Sequence, residues 1–276
     1  MLVLAISETR FKILAKSLDD SIGDAFDKTA KLLQIPWLPG LGPGPSLESY
    51  AAPHATNPQV QARVEALLEE MKPFKPSAKG QRAFSFAGLK TQVLKETQKR
   101  HPNLQLKGKL GPPEPLKRAV ATRFQQAAVK QVEDKVRIVL DYLEKDPEGK
   151  KLLPDGEPRV RAVVASGGVA SNQYLRSQLK RSLEERTPAD PIPLVFPPVS
   201  PSISPNQCKH NHLTHIRSID NAAMIAWAGI LKLRRQGGVG DSFGGLLRPK
   251  WSMEALEELA KDEEAIPPPE VTIVKI

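Results

Sequence analysis

The stretch Val163-Val164-Ala165-Ser166-Gly167-Gly168-Val169-Ala170-Ser171-Asn172-Gln173-Tyr174-Leu175-Arg176 constrains this chain more than any other. It reads as a β-branched strand that meets a glycine pair and then opens a helix, the strand–turn–helix order of an α/β fold. Gly167 and Gly168 carry no Cβ, so the backbone there can turn sharply and approach a ligand closely. The first amides of the following helix offer unpaired donors and the positive end of the helix dipole, a combination that suits a phosphate. Asn172 stands where an amide side chain would reach a sugar or base edge. A glycine pair also makes an ordinary tight corner between strand and helix, so the turn alone does not assign a nucleotide site.

The remaining pattern supports a mixed α/β chain. Residues 2–6 and 11–15 read as two short strands of a hairpin around residues 7–10. Asp19, Asp20 or Ser21 caps a helix carrying Ile22, Ala25, Phe26, Thr29, Leu32 and Leu33 at helical spacing. Pro36 to Pro45 is a Gly/Pro connector, Ser46 opens a second helix, and residues 58–72 form a third. Residues 73–83 are a basic linker around Lys75, Lys79 and Arg82. Pro115 to Lys145 is a long amphipathic helix that stops at Asp146-Pro147-Glu148-Gly149. A strand at 159–165, a helix at 172–185 and a strand at 192–196 follow. Next come a polar insert at 199–219 and a helix at 221–235, and a Glu/Lys helix and a mobile proline-rich tail finish the chain.

Composition narrows the function classes. A chain of 276 residues with 40% hydrophobic content is large enough for a real core. Its formal charge of +9 favours a polyanionic partner, although a mitochondrial or lysine-rich protein is basic without one. One cysteine, Cys208, leaves no intrachain disulfide and no cysteine metal cluster. No apolar run reaches transmembrane length, so no membrane partner is expected, and residues 1–15 lack a secretory signal's organisation.

Three further strings accompany the glycine turn: Phe84 to Lys90 (Phe-Ser-Phe-Ala-Gly-Leu-Lys), Leu18 to Leu33, and Asp220 to Gly229 (Asp-Asn-Ala-Ala-Met-Ile-Ala-Trp-Ala-Gly). With a closing Arg248-Pro-Lys-Trp251, these ordered motifs resemble the tRNA threonylcarbamoyladenosine synthase family, TsaD-like and once labelled O-sialoglycoprotein endopeptidase. The likeness runs with interruptions from Met1 to Trp251 and favours the mitochondrial branch, otherwise a cytoplasmic member. It implies an actin/Hsp70/sugar-kinase-like fold, with an RNase H-like second lobe over residues 1–220 and a helix from 221 returning to the first lobe. It also implies transfer of threonylcarbamoyl from threonylcarbamoyl-adenylate to N6 of adenosine 37 in tRNAs that read ANN codons. Asp27 would bind nucleotide hydroxyls, Gly44 would let adenosine approach the backbone, and Gly167, Gly168 and Asn172 would form the nucleotide-contacting turn. Asp220 would ligate one divalent metal, iron or zinc. The partners implied are tRNA, the adenylate and a second copy in a homodimer. As plain residues, Asp27 would be a solvated helix position and Asp220 an N-cap.

The departures from the family pattern set the expectations further. The family's His-x-x-x-His metal pair is absent here, which leaves the metal site incomplete. His210, His212 and His215 can chelate a metal by chemistry, but they fall in the polar insert. No catalytic Ser/His/Asp or Cys/His set supports the old protease label. The family's Ser-Gly-Gly-His-Thr strand should precede Leu2, and it is missing together with most of the first lobe. That strand is the central one, between the hairpin and the strand at 159–165, and its loss would leave buried main-chain groups unpaired. The expectation is therefore an N-terminally truncated member, unstable or inactive on its own. A catalytically inactive nucleotide-binding or scaffold relative is the alternative. Lys72, Lys75, Lys79, Arg82 and Lys90 are candidate phosphate contacts for tRNA, or else a solvated linker.

Overall fold

The computed structural model describes residues 1–7, 10–38, 42–52, 57–102, 111–154 and 159–196, together with the backbone of 273–275. Over these residues the chain is mixed α/β, a short-stranded sheet beside a layer of helices. The helix at 221–235, the insert at 199–219, Asp220, the three clustered histidines and Arg248–Trp251 lie outside the described residues.

The hairpin forms as the apolar alternation requires. Strand β1 (Leu2–Ala5) pairs antiparallel with β2 (Phe11–Ser17), placing Val3 opposite Ile13 and Ala5 opposite Phe11. Leu2, Val3 and Leu4 are all buried, so β1 is covered on both faces and sits inside the sheet. A two-residue β3 (Ala83–Phe84) extends the edge parallel to β2. On the other side β4 (Ala162–Val164) pairs parallel with β5 (Leu194–Val195). These two strands are shorter than the expected spans of 159–165 and 192–196 because pairing ends where the partner ends.

The position between β1 and β4 corrects the sequence expectation. It is occupied by β6 (Ile273–Lys275), antiparallel to β1 and parallel to β4. The strand order is β3-β2-β1-β6-β4-β5. The expected gap at the centre of the sheet is thus filled, and this part of the expected mobile tail is a strand. The physical reason is the one that made the gap costly, since a buried unpaired main-chain group costs about 1–3 kcal/mol.

Helix α5 (Glu114–Lys145) organises the other layer. Leu116, Val120, Phe124, Ala127, Gln131, Lys135, Val139 and Leu143 are among its buried positions, in steps of three and four that return every turn to the core. Against it pack α2 (Pro43–Ala51), α3 (Pro58–Glu70), α4 (Ala87–Arg100), α6 (Pro147–Lys150) and α7 (Gln173–Arg186). Arg186, in the last turn of α7, bridges Asp141 at 2.8 Å and Glu144 at 2.7 Å on α5. α1 (Ile22–Leu32) is capped by Ser21, whose Oγ accepts from the Asp24 N–H at 3.1 Å. Phe26 of α1 meets Phe124 of α5 edge-on, with ring centroids 5.1 Å apart.

The structure adds to the sequence reading at three helices. Helix α2 starts at Pro43 rather than Ser46, because proline has the right φ for the first helical position and no N–H to leave orphaned. Ser46 is instead buried inside the first turns, donating to the Gly42 carbonyl and accepting from the Leu38 N–H. Helix α4 falls in a Lys/Gln-rich segment that the sequence reading assigns to no helix, since Leu89, Val93 and Thr97 give it only a narrow buried stripe. Asp146 ends α5 as expected, yet its side chain also caps the short turn α6 by accepting from the Glu148 N–H.

The linker 73–83 is held from α5. The buried Gln131 donates to the carbonyls of Ser77 (3.1 Å) and Ser85 (3.0 Å) and accepts from the Ser85 N–H. The buried Lys135 donates its Nζ to the Ala78 carbonyl. Two of the five candidate phosphate contacts are engaged within the chain: Arg82 stacks over the Tyr142 ring at 3.7 Å, and Lys90 pairs with Asp20 at 3.4 Å. Lys72, Lys75 and Lys79 remain exposed.

Candidate functional site

Three segments of the chain converge on one cavity of about 350 Å³. Its wall is made by α1 through Phe26 and Asp27, by the start of α2 through Gly44 and Glu48, and by the turn after β4 through Gly168 and Asn172. The size suits a nucleoside-sized ligand, since ligand cavities begin at about 300 Å³.

Gly44 matters because of what lies against it. A Cβ at this position would stand 3.2 Å from the Asp27 Oδ1 and 3.8 Å from the Phe26 Cβ. The missing side chain therefore lets α1 and α2 approach until the Asp27 carboxylate lies over the first turn of α2. Pro43 and Pro45 on either side line the same wall with apolar surface.

The opposite wall comes from the glycine turn. Gly167 has φ +104° and ψ 174°, a conformation essentially confined to glycine, and it swings the chain out of β4. A single 3₁₀ turn, Gly168–Ser171, follows, closed by the Ser171 Oγ donating to the Gly168 carbonyl at 2.6 Å. Gly168 lines the cavity, and Gly167 sits just before it as the hinge of the turn.

Asn172 is 5% exposed and already partnered. Its Oδ1 accepts from the Leu175 N–H at 2.8 Å, which makes it the N-cap of α7, and its Nδ2 donates to the Gln125 Oε1 at 3.1 Å. One Nδ2 hydrogen and one Oδ1 lone pair are left for anything in the cavity. Asn172 therefore anchors the turn to α5 as well as lining the cavity.

Glu48 was not singled out by the sequence. It lies one turn beyond Gly44 on α2, and its Oε1 accepts from the Gln173 N–H at 2.7 Å, so it occupies the start of α7. Burial pushes its carboxyl above the ordinary glutamate value, opposed by the N–H groups of Gln173 and Tyr174 and by the charge of Arg176. The readable signal was the i,i+4 spacing from Gly44, which has meaning only once the helix is known to begin at Pro43.

Among the described residues, no group of three or more His, Cys, Asp or Glu side chains is placed to hold a metal ion. The residues described do not fit a resident metal, and Asp220 lies outside them. No helix among the described residues is long and apolar enough to cross a membrane.

Comparison with known proteins decides the family. The model of the tRNA N6-adenosine threonylcarbamoyltransferase family (TsaD) matches residues 1–200, most of the chain. This chain belongs to that family. A tRNA N6-adenosine threonylcarbamoyltransferase of Novosphingobium aromaticivorans is 32% identical over 245 residues, covering 89% of this chain and 52% of the relative. The one from Neisseria gonorrhoeae is 31% identical over 255 residues, 89% of this chain and 57% of the relative. A probable mitochondrial member from Arabidopsis thaliana is 30% identical over 236 residues, 85% of this chain and 40% of the relative. The chain spans about half the length of the curated relatives it matches. The cavity is built entirely from residues inside the matched region.

Proposed function

We propose that this chain carries the nucleotide-binding part of a tRNA threonylcarbamoyladenosine synthase. In this reading the protein transfers threonylcarbamoyl from threonylcarbamoyl-adenylate to N6 of adenosine 37 in tRNAs reading ANN codons. The observation that carries it is the convergence of Asp27, Gly44, Gly168 and Asn172 on one cavity. The N6 nitrogen attacks the carbamoyl carbon, the bond from that carbon to the phosphate oxygen breaks, AMP leaves, and the nitrogen loses a proton. Asp27 accepts hydrogen bonds from nucleotide hydroxyls. The bare backbone at Gly44 and Gly168 admits adenosine and phosphate close to the main chain. Asn172 keeps the turn in register while its free N–H and lone pair face the ligand.

The two-lobed actin/Hsp70/sugar-kinase-like architecture belongs to the same reading, with the described residues forming its RNase H-like lobe. So do tRNA as substrate, a mitochondrial location suggested by the Arabidopsis relative, and a divalent metal with Asp220 as one ligand. No step is routed through that metal, because the described residues supply no set to hold it. A second reading, in which the chain binds the adenylate without turning it over, draws on the sequence, which carries no His-x-x-x-His pair.

Calorimetry with threonylcarbamoyl-adenylate, paired with an assay for modified tRNA, tests both readings on the 276-residue chain. Asp27→Ala should weaken adenylate binding by about ten- to a hundred-fold, the worth of a hydrogen bond to a charged group. Binding with product formation supports the transferase, and binding without product supports the second reading. Absence of binding, or an unaffected Asp27→Ala, removes the cavity from the function.

A further inference from the structure

Strands β1 and β4 do not pair with each other; each pairs with Ile273–Lys275. Val3, Leu4 and Ala5 stand opposite Lys275, Val274 and Ile273, while Ala162, Val163 and Val164 stand beside Ile273, Val274 and Lys275. Leu4 and Val163, at the middle of the two flanking strands, are each 0% exposed, so the main-chain groups bordering this position have no water to turn to. The C-terminal sequence Val271-Thr272-Ile273-Val274-Lys275-Ile276 is β-branched at every position but Lys275, the composition that favours an extended strand. Pro267-Pro268-Pro269, one residue ahead of it, removes three successive main-chain donors and disfavours a helix running into it.

We propose that the position between β1 and β4 is a strand acceptor and that Ile273–Lys275 of the same chain is its donor. The acceptor selects an extended, β-branched segment running parallel to β4, and this chain supplies one from the far end of its sequence. The donor also bears on the cavity, although the inference does not depend on what the cavity binds. β4 ends three residues before Gly167, so the strand that pairs with β4 steadies the turn presenting Gly168 and Asn172. A second copy offering the same segment would give an exchanged dimer instead.

Paired cysteines in the full chain test this directly. In a Cys208→Ser background, Ala5→Cys and Ile273→Cys occupy opposed positions. Such neighbours lie about 4.5–5.5 Å apart at Cα, within the span of a disulfide. Oxidation of dilute protein should give an intramolecular crosslink in a monomer, at least about ten-fold faster than the out-of-register pair Ala5→Cys with Lys275→Cys. Equal rates for the two pairs overturn the pairing, and a disulfide-linked dimer overturns the in-chain donor. Hydrogen exchange gives a second reading: the Val163 N–H bonds to the Pro193 carbonyl on the β5 side and the Ile6 N–H to the Arg10 carbonyl on the β2 side, so by alternation the amides of Val164 and Ala5 face β6. Val274→Pro should lower protection at Ala5 and Val164 about ten-fold or more while Val129 and Val132 on α5 keep theirs. Unchanged protection at Ala5 and Val164 overturns the proposal. If Val274→Pro prevents folding, the crosslinking result in the otherwise native sheet decides.

Discussion

Helix α5 and the central sheet hold the molecule in opposite ways. α5 is 32 residues long and buries 17 of them, and α2, α3, α4, α6 and α7 all pack against it. The sheet has strands of two to seven residues, and every pairing beyond the β1–β2 hairpin joins distant parts of the sequence. Stability in the first region comes from packed side chains, and in the second from main-chain pairing that one segment can break. The cavity lies between the two, with Asn172 tied to Gln125 of α5 and the glycine turn hung from β4. A site built this way takes its rigidity from the helix and its shape from the sheet.

Mutations that separate side-chain packing from backbone shape test this division. Phe124→Ala removes a fully buried ring at the junction of α1 and α5 and should cost about 3–5 kcal/mol, read by denaturant unfolding. Gly167→Ala adds a Cβ that meets nothing within 4 Å, so its cost is pure backbone strain at φ +104°, about 1–3 kcal/mol. It should weaken adenylate binding measurably while far-ultraviolet circular dichroism stays unchanged. If Gly167→Ala proves as costly to folding as Phe124→Ala, the assignment of stability to the helix and shape to the turn is wrong.

The smallest effect concerns Glu48. Because its carboxyl is raised above the ordinary value, the folded chain binds that proton more tightly than the unfolded chain does. Its contribution to stability therefore falls as pH rises from the ordinary glutamate value through the raised one. Glu48→Gln keeps an oxygen to accept from Gln173 and removes the buried charge. It should make the protein slightly more stable at neutral pH and should give no gain below the ordinary glutamate value, measured as thermal unfolding across pH. A gain that persists into acid would mean that packing, not charge, sets the effect.

Much of the cavity was legible because its residues sit in short local motifs. Asp27, Gly44, Gly168 and Asn172 each stand in a string whose pattern survives without tertiary information, and the structure brings all four to one cavity. What escaped was set by partners far along the chain. The link from Asn172 to Gln125 and the link from Glu48 to the start of α7 are tertiary contacts with no sequence period. Helix α4 was hidden by its narrow apolar stripe, and α2 by a start that depends on Pro43 rather than on a polar cap. Ile273–Lys275 was read as tail because proline-rich context is local information and strand pairing is not.

The hold of α5 on residues 73–83 carries one more consequence. Gln131 and Lys135 grip this loop by its carbonyl oxygens, which every amino acid possesses. Between its own anchors, the buried Phe74 and Arg82 over Tyr142, the loop's path is therefore written on the helix rather than in the loop's side chains. Different residues can be exchanged through Lys75 and Lys79 without redirecting the chain, whereas a change at position 131 or 135 would release a loop whose own letters had not altered.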